Sequence, residues 1–285
     1  MDIAAPSEPQ GLIHSKVPWW AKIAAKIVLS RLGSFAFWQR LNLFRAGQMQ
    51  DPDFASTVLN LHMQRAGITS LAGKTIVELG PGNGLLTGKL AGERGAEHTW
   101  LIDAEPLAKD FPLPPRTTYL WESPAGLSQI PDASVDFIFS HAVMEHVGKK
   151  DFALLVSETF RILKPNGVIS HSIDFQDHLQ YALNNLRFSE RAWESRFMSR
   201  SGFYTNRITW PEMERIFTDS GFSVHPVSFL CWPQLPTPQN KLAEPYRSMK
   251  PDDLMVKGAN IVLRSVGNSY RVSPSPRPRQ RMSAP

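Results

Sequence analysis

Short apolar runs alternate with segments of helical periodicity through the middle of the chain. Residues 51–70 and 152–163 carry apolar side chains at helical spacing, whereas the runs between such segments are only four to six residues long. Runs of this length favour buried strands, and their alternation with helices predicts a mostly parallel sheet. The predicted strands are 76–79, 99–102, 117–121, 135–140 and 168–173.

The pattern changes towards the end of the chain. Residues 211–220 predict a helix that ends at Gly221, and residues 222–229 and 259–266 predict two further strands. A proline-rich stretch separates those two strands, and four prolines between 105 and 118 predict that the helix after the second strand is short or broken. Gly73 is expected to end the helix over 51–70.

The segment Thr75 to Gly84 joins the first strand to a helix and reads Thr-Ile-Val-Glu-Leu-Gly-Pro-Gly-Asn-Gly. Glu78 is its one acidic residue, and glycine occupies positions 80, 82 and 84. Glycine tolerates a positive φ and has no Cβ, so the backbone N–H groups and the helix N-terminus can approach a ligand closely. Asp103 follows the second strand about 20 residues later, where a carboxylate can accept from both hydroxyls of a ribose.

The order Glu-x-Gly-Pro-Gly-x-Gly resembles the first motif of class I S-adenosylmethionine-dependent methyltransferases, and Leu-Lys-Pro-x-Gly at 163–167 resembles a late motif of that family. The resemblance implies a Rossmann-like, doubly wound α/β sheet that is mostly parallel, with an antiparallel strand near the C-terminus and additional N-terminal helices. It implies S-adenosyl-L-methionine as the cofactor. The cofactor residues it indicates are Glu78, Gly80, Pro81, Gly82, Asn83, Gly84, Asp103, Ala104, Glu122 and Ser140.

Methyl transfer requires alignment of an acceptor, and a hydroxyl acceptor also requires a base. Side chains that follow strands four and five are the candidates, because the carboxyl ends of these strands meet at one edge of the sheet. A divalent cation could be held by four of the side chains around the end of strand five, but solvated loop charges are the favoured interpretation and no metal is predicted. These four are His171, Asp174, Asp177 and His178. The catalytic candidates are His141, Glu145, His146, His171 and Asp174.

Charge is concentrated at the two ends of the chain. The net charge is +5 with a pI of about 9.4, yet residues 1–50 and 266–285 each carry +4, which leaves −3 for residues 51–265. A slightly acidic body argues against a nucleic-acid partner. Cys231 is the single cysteine and excludes an internal disulfide. We see no secretory signal or membrane span in the sequence, so a cytoplasmic location is expected.

Three segments organise the chain in this interpretation. Residues 1–50 form a basic, amphipathic helical segment, residues 51–266 form the methyltransferase domain, and residues 267–285 are a disordered tail. Residues 177–210, rich in arginine, aromatic residues and asparagine, are expected to be a substrate-side insertion. Tryptophans and lysines within 18–45 leave open a peripheral contact with the inner face of the membrane, although a cover over the core or active site is preferred.

The leading hypothesis is methylation of a small molecule or cell-surface glycan, most simply on oxygen. Asp174-x-x-Asp-His178 resembles methyltransferases associated with surface polysaccharide, whereas Glu145 to Gly148 is similar to lipid-modifying enzymes such as cyclopropane synthases. A lipid or quinone acceptor at the membrane is therefore an alternative. A nicotinamide-dependent Rossmann oxidoreductase is the alternative of another class, but the sequence lacks G-x-G-x-x-G at the loop. A protein that binds the cofactor without catalysing a reaction is the third alternative.

Overall fold

A computed structural model describes Ala21, residues 48–178 and residues 180–266. Seven strands form one sheet in the order β3-β2-β1-β4-β5-β7-β6. Strands β1 to β5 are parallel, and β7 lies antiparallel between β5 and β6. The predicted fold class is therefore confirmed. The strands are β1 (Thr75–Leu79), β2 (His98–Ile102), β3 (Thr117–Leu120), β4 (Val135–His141), β5 (Leu163–Asp174), β6 (Phe222–Cys231) and β7 (Val256–Ser265).

Helices cover both faces of the sheet, which is why the central strands are apolar on both sides. One face of the sheet buries Val77, Ile138 and Ile169, and the other buries Ile76 and Phe139. Alternation of side chains along each strand assigns them to these two layers. The helices are α1 (Pro52–Ala66), α2 (Leu86–Glu93), α3 (Lys149–Ile162), α4 (Glu190–Trp193), α5 (Trp210–Asp219) and α6 (Pro251–Leu254).

Helix α1 ends earlier than the sequence predicts. Gly67 caps it in the left-handed conformation with φ 72°, and its N–H is bonded to the carbonyls of Met63 and Gln64. The expected end at Gly73 was wrong because Gly67 already supplies the residue that this cap requires. The predicted absence of a full helix between β2 and β3 is confirmed, since residues 103–116 form turns.

The candidate catalytic residues lie in β4, in β5 and in the loop after β4. Residues 142–148 form the loop after β4, and α3 begins only at Lys149, with Gly148 at its N-cap. The motif at 163–167 interrupts pairing within β5, because Leu163 pairs with Val135 and the next paired residue is Val168. Residues 177–210 hold short turns of helix around an aromatic cluster of Trp193, Phe203 and Tyr204.

The predicted N-terminal helices lie outside the described residues, apart from Ala21 and a 3-10 turn at Gln48–Gln50, and so does the predicted tail at 267–285. A search of the described residues for helices long and apolar enough to cross a membrane finds none.

Candidate functional site

The glycine loop after β1 has the conformation that its sequence predicts. Gly80 and Gly82 adopt φ values of 70° and 65°, which strain any residue that carries a side chain. A Cβ on Gly80 would lie 2.4 Å from Cγ2 of Val143, and one on Gly84 would lie 2.6 Å from the Met49 carbonyl oxygen. The loop is therefore packed between the segment after β4 and the turn that precedes α1.

Two carboxyl groups flank this loop. Glu78 is 3% exposed, and its Oε2 has no hydrogen-bond partner within the described part of the chain. Burial raises the pKa of Glu78 to about 8; the nearby Thr87 hydroxyl acts against this rise, and the nearby Asp103 adds to it. Asp103 accepts hydrogen bonds from the N–H groups of Gly82 (3.0 Å) and Ala104 (2.7 Å). Its pKa is also raised, chiefly by burial.

The loop after β3 approaches the end of β2. The N–H of Ser123 donates to the carbonyl of Asp103 at 3.0 Å, and Glu122 beside it is exposed with φ 66°. Ala104 is exposed at the same edge. The glycine loop, Asp103 and the loop that carries Glu122 thus border one another at the carboxyl ends of β1, β2 and β3.

His141, at the end of β4, contacts a residue that the sequence analysis did not select. Its Nδ1 lies 3.4 Å from Nε2 of His62 on α1, and His62 Nδ1 lies 2.8 Å from the Ser170 hydroxyl. Burial and the charge of Arg65 lower the pKa of His141 to about 4. Burial also lowers the pKa of His62, so both rings are neutral near pH 7.

The sequence contains only a weak indication that His62 and Arg65 lie beside the candidate site. They lie three residues apart on α1 and therefore share one face of the helix. Arg65 donates to the Ser172 hydroxyl at 2.7 Å. A histidine on an otherwise apolar helix face is often a packed residue, so spacing alone did not distinguish this pair from the core.

His171 and Ser140 pair inside the sheet. The Ser140 hydroxyl lies 2.7 Å from His171 Nδ1, and the two side chains are 0% and 1% exposed. Burial lowers the pKa of His171 to about 3, and its ring stacks on Phe217 at 5.9 Å. The structure thus places both predicted residues on adjacent strands, with their side chains buried in the core.

Glu145 and Asp174 lie together at the ends of β4 and β5. Glu145 is 2% exposed, and neither of its carboxyl oxygens has a hydrogen-bond partner among the residues that the structure describes. Burial, and then the proximity of Asp174, raise the pKa of Glu145 well above its usual value. Asp174 accepts hydrogen bonds from the backbone and side chain of Gln176, and burial raises its pKa as well.

His146 pairs with His178 on the outer side of the same loop. Its Nδ1 lies 2.9 Å from the Tyr204 carbonyl oxygen, which can only accept, so this nitrogen carries a proton. Its Nε2 lies 3.1 Å from Nε2 of His178. In the neutral His146 ring that nitrogen is an acceptor, and His178 is the donor.

The side chains considered as a cation site have separate partners. His171 contacts Ser140, and Asp177 accepts from the backbone N–H of Asn184. Within residues 48–178 and 180–266, no three histidine, cysteine, aspartate or glutamate side chains are grouped as metal ligands.

Residues 77–170 match the model of a family described as a methyltransferase domain. The match supports a class I methyltransferase whose cofactor is S-adenosyl-L-methionine. Its span runs from β1, inside the glycine motif, to Ser170 in β5, so it includes the loops that carry Asp103, Glu122 and Glu145.

Several solved structures are similar to this chain. An S-adenosylmethionine-dependent methyltransferase from Mesorhizobium loti is 20% identical, with 70% of this chain and 94% of that chain covered and a TM-score of 0.45. One from Archaeoglobus fulgidus is 14% identical, with 81% and 99% covered and a TM-score of 0.48. Phosphoethanolamine N-methyltransferase 2 of Haemonchus contortus, solved with S-adenosyl-L-methionine, is 17% identical, with 73% and 52% covered and a TM-score of 0.45. These identities transfer no acceptor to this chain. A search of curated protein sequences returned no match.

The residues at the glycine loop fit the cofactor. Left-handed Gly80 and Gly82 leave the backbone open, and a side chain on Gly80 would collide with Val143. Glu78 provides a buried carboxyl oxygen without a partner in the described structure, and Asp103 retains lone pairs for hydroxyl donors beside the two N–H groups it accepts.

Proposed function

We propose that this methyltransferase transfers a methyl group to a hydroxyl of a small-molecule or glycan acceptor. The observation that supports the proposal is the path of the loop after β4. Val143 packs against Gly80 of the glycine loop, and two residues later Glu145 presents a buried carboxyl group whose oxygens lack partners in the described structure. One short segment thus connects the cofactor side of the domain to a group suited to an acceptor.

Roles for the predicted site residues follow from this arrangement. Bound S-adenosyl-L-methionine supplies an activated methyl group on sulfonium. Glu78, Gly80 and Gly82 are proposed to hold its methionine end, and Asp103 its ribose. Pro81, Asn83 and Gly84 shape the loop, and Ala104 and Glu122 border the adenine. Ser140 is proposed to act through its backbone, because its hydroxyl is bonded to His171.

Glu145 is the proposed base. A hydroxyl acceptor must lose a proton as its oxygen attacks the methyl carbon, and a carboxylate with a raised pKa accepts that proton more readily than an ordinary one. Asp174 contributes by raising that pKa. His141 is a weaker candidate because its pKa is about 4, and His146 remains a candidate beside the same loop. We assign His171 a structural role, since it is buried against Ser140 and Phe217.

Isothermal titration calorimetry of the full chain with S-adenosyl-L-methionine, S-adenosylhomocysteine and NAD tests the cofactor. We expect both adenosyl compounds to bind with one site per chain and NAD to release no measurable heat. Binding of NAD alone would instead favour the oxidoreductase hypothesis. Binding of the adenosyl compounds without turnover, across a panel of polyhydroxylated acceptors, would favour a binding protein without chemistry.

A lipid or quinone acceptor is the second proposal, and it rests on the tryptophans and lysines of residues 18–45. Those residues lie outside the described structure. Pelleting with anionic liposomes, for the full chain and for a variant that lacks residues 1–45, separates the two acceptor classes. A membrane-borne acceptor requires that the full chain bind the liposomes and that deletion of residues 1–45 abolish this binding. Equal pelleting of both proteins would rule out the membrane-borne acceptor.

A further inference from the structure

A small, partly open cavity lies beyond the glycine loop, at the carboxyl ends of β4 and β5. Its volume is about 30 Å³, and its lining includes Glu145, Asp174, Asp253, Asn185, Arg207 and Thr209. We call it the Glu145 cavity. On this measure one water-sized sphere needs about 10–15 Å³, so the cavity has room for about two oxygen atoms.

Unpartnered polar atoms are concentrated around this cavity. Five buried side-chain atoms of its lining residues have no hydrogen-bond partner within the described ranges, and such atoms are rare in folded proteins. Each costs free energy unless something inside the cavity pairs with it. They are Oε1 and Oε2 of Glu145, Oδ1 of Asn185, Nε of Arg207 and Oγ1 of Thr209.

Arg207 is held in a costly position beside the cavity. Its backbone adopts φ 60°, which is unusual for a residue with a side chain. One terminal nitrogen pairs with Glu190 at 2.6 Å, the other donates to the Phe188 carbonyl at 2.7 Å, and the guanidinium lies 5.5 Å from the Trp193 ring centroid. Both terminal nitrogens are engaged, and Nε is the guanidinium nitrogen without a partner in the described structure.

Asn185 and Thr209 also have their orientations set by neighbours. The Asn185 amide nitrogen donates to Thr205 at 2.9 Å, so its oxygen is the atom that remains. Thr209 is the N-cap residue of α5, where a threonine hydroxyl usually accepts from the helix backbone, yet its hydroxyl makes no capping bond. The oxygen that would ordinarily stabilise the helix is therefore available to another group.

The combination of donors and acceptors selects the chemistry of the occupant. With Glu145 as the carboxylate that the proposed base requires, the set consists of three acceptor oxygens, one hydroxyl that can donate or accept, and one N–H donor. Within the described residues, no three histidine, cysteine, aspartate or glutamate side chains are grouped so that they could hold a metal ion. A hydroxyl group both donates and accepts, so one hydroxyl can donate to Glu145 while accepting from Arg207, and a second can donate to Asn185 while accepting from Thr209.

We propose that the Glu145 cavity is an acceptor subsite that binds two adjacent hydroxyl groups, as presented by a sugar ring. The inference rests on the proposed function, because Val143 connects Glu145 to the glycine loop. It adds Asn185, Arg207 and Thr209 as residues that select a polyhydroxylated acceptor. In this arrangement one hydroxyl proton lies against Glu145, and the hydroxyl beside it fixes the ring.

The test measures binding of methyl hexosides to the full chain saturated with S-adenosylhomocysteine. Methyl α-mannoside, methyl α-glucoside and methyl α-rhamnoside serve as probes, with n-butylamine as a probe that lacks hydroxyls. We expect at least one glycoside to bind and the amine not to bind. Thr209→Val should raise the dissociation constant of that glycoside about fivefold or more, and Glu145→Gln should raise it about tenfold or more, because each change removes a buried partner. Thr209→Ser, which keeps the hydroxyl, should restore binding.

Control measurements separate this subsite from a structural role. Glu97→Gln, an exposed change at the opposite edge of the sheet, should leave glycoside binding within about twofold. Thr209→Val should unfold at the same temperature as the wild type or higher, since the hydroxyl it removes has no partner in the described structure. Unchanged glycoside affinity in Thr209→Val, or binding of the amine alone, would overturn the subsite.

Failure of the subsite and failure of the proposed function give different results. If S-adenosylhomocysteine binds but no glycoside does, the subsite is wrong and the methyltransferase assignment stands. If S-adenosylhomocysteine itself does not bind, the proposed function fails first.

Discussion

Gly80 is the residue at which conformation and packing constrain the site together. Its φ of 70° disfavours a side chain, and a Cβ would lie 2.4 Å from Val143. We expect Gly80→Ala to lower the unfolding free energy by about 1–3 kcal/mol and to weaken S-adenosyl-L-methionine binding at least tenfold, measured by urea unfolding and calorimetry.

Gly67→Ala is the matched control for that change. Gly67 has a similar φ of 72°, but a Cβ there would meet nothing within 4 Å. Gly67→Ala should therefore lower the unfolding free energy by about 1 kcal/mol, the cost of the backbone conformation, and leave cofactor affinity unchanged. Equal losses of affinity in the two variants would contradict a specific role for Gly80.

Glu78 makes stability depend on pH in the direction opposite to that of most carboxyl groups. Folded Glu78 keeps its proton up to a pH of about 8, whereas the unfolded group loses it near 4.5, so folding takes up a proton and stability falls as pH rises through this window. Between pH 7 and 8 the unfolding free energy of the ligand-free wild type should fall by up to about 1 kcal/mol more than that of Glu78→Gln, as measured by urea unfolding.

The window from pH 7 to 8 is chosen because the buried histidines do not interfere there. Folding lowers the pKa values of His62, His141 and His171 below the ordinary value of 6.5, so these residues are neutral in the folded protein above pH 7. In the unfolded chain they are also largely neutral there, because 6.5 lies below this pH. Glu145 acts in the same direction as Glu78 but is present in both proteins and cancels in the comparison. Identical pH slopes in wild type and Glu78→Gln would show that Glu78 is ionised when folded.

At the scale of elements, α1 is attached to the sheet through polar contacts as well as apolar ones. Arg65 donates to Ser172 on β5, Ser172 donates to Asn260 on β7, and Asn260 donates to Ser228 on β6. His62 joins the same helix to β4 and β5. This network fixes α1 beside His141, so α1 controls the electrostatic environment of the β4 end.

Arg65→Met tests that control. Because the Arg65 charge lowers the pKa of His141, its removal should raise that pKa above about 4, as followed by NMR titration of the imidazole resonances. Arg94→Met removes an arginine that also bonds to α1, through Asn60 and Ser56, and should leave the His141 titration unchanged. A shift of equal size in both variants would argue that general loosening of α1, and not the local charge, is responsible.

At the scale of the whole molecule, the order of the strands explains why residues far apart in sequence share one site. Strand β1 lies between β2 and β4, so the glycine loop, Asp103 and the loop after β4 emerge at the same edge of the sheet. The residues at 185 and 205–209 then pack over the loop after β4, where the Asn206 side chain donates to the carbonyls of Met144 and Val147. The glycine loop and the proposed acceptor subsite thereby lie at the same edge of the sheet.

Local sequence determined the strands, most helices and the cofactor loop. Gly80 and Gly82 could be selected because a positive φ is a local property, and Asp103 because it follows a strand at a fixed spacing. The paired interior of β4 and β5 was predictable from short apolar runs. These features depend on residues that are near one another in the chain.

Tertiary structure alone decided which polar residues border a cavity and which pack into the core. His171 and Glu145 looked equivalent as candidates, yet His171 packs against Ser140 and Phe217, whereas Glu145 borders a cavity with Asn185, Arg207 and Thr209. The contact of His62 with His141 could be recognised only from the packing of α1 against β4. Burial and hydrogen-bond partners arise from contacts between distant segments, and sequence spacing does not encode them.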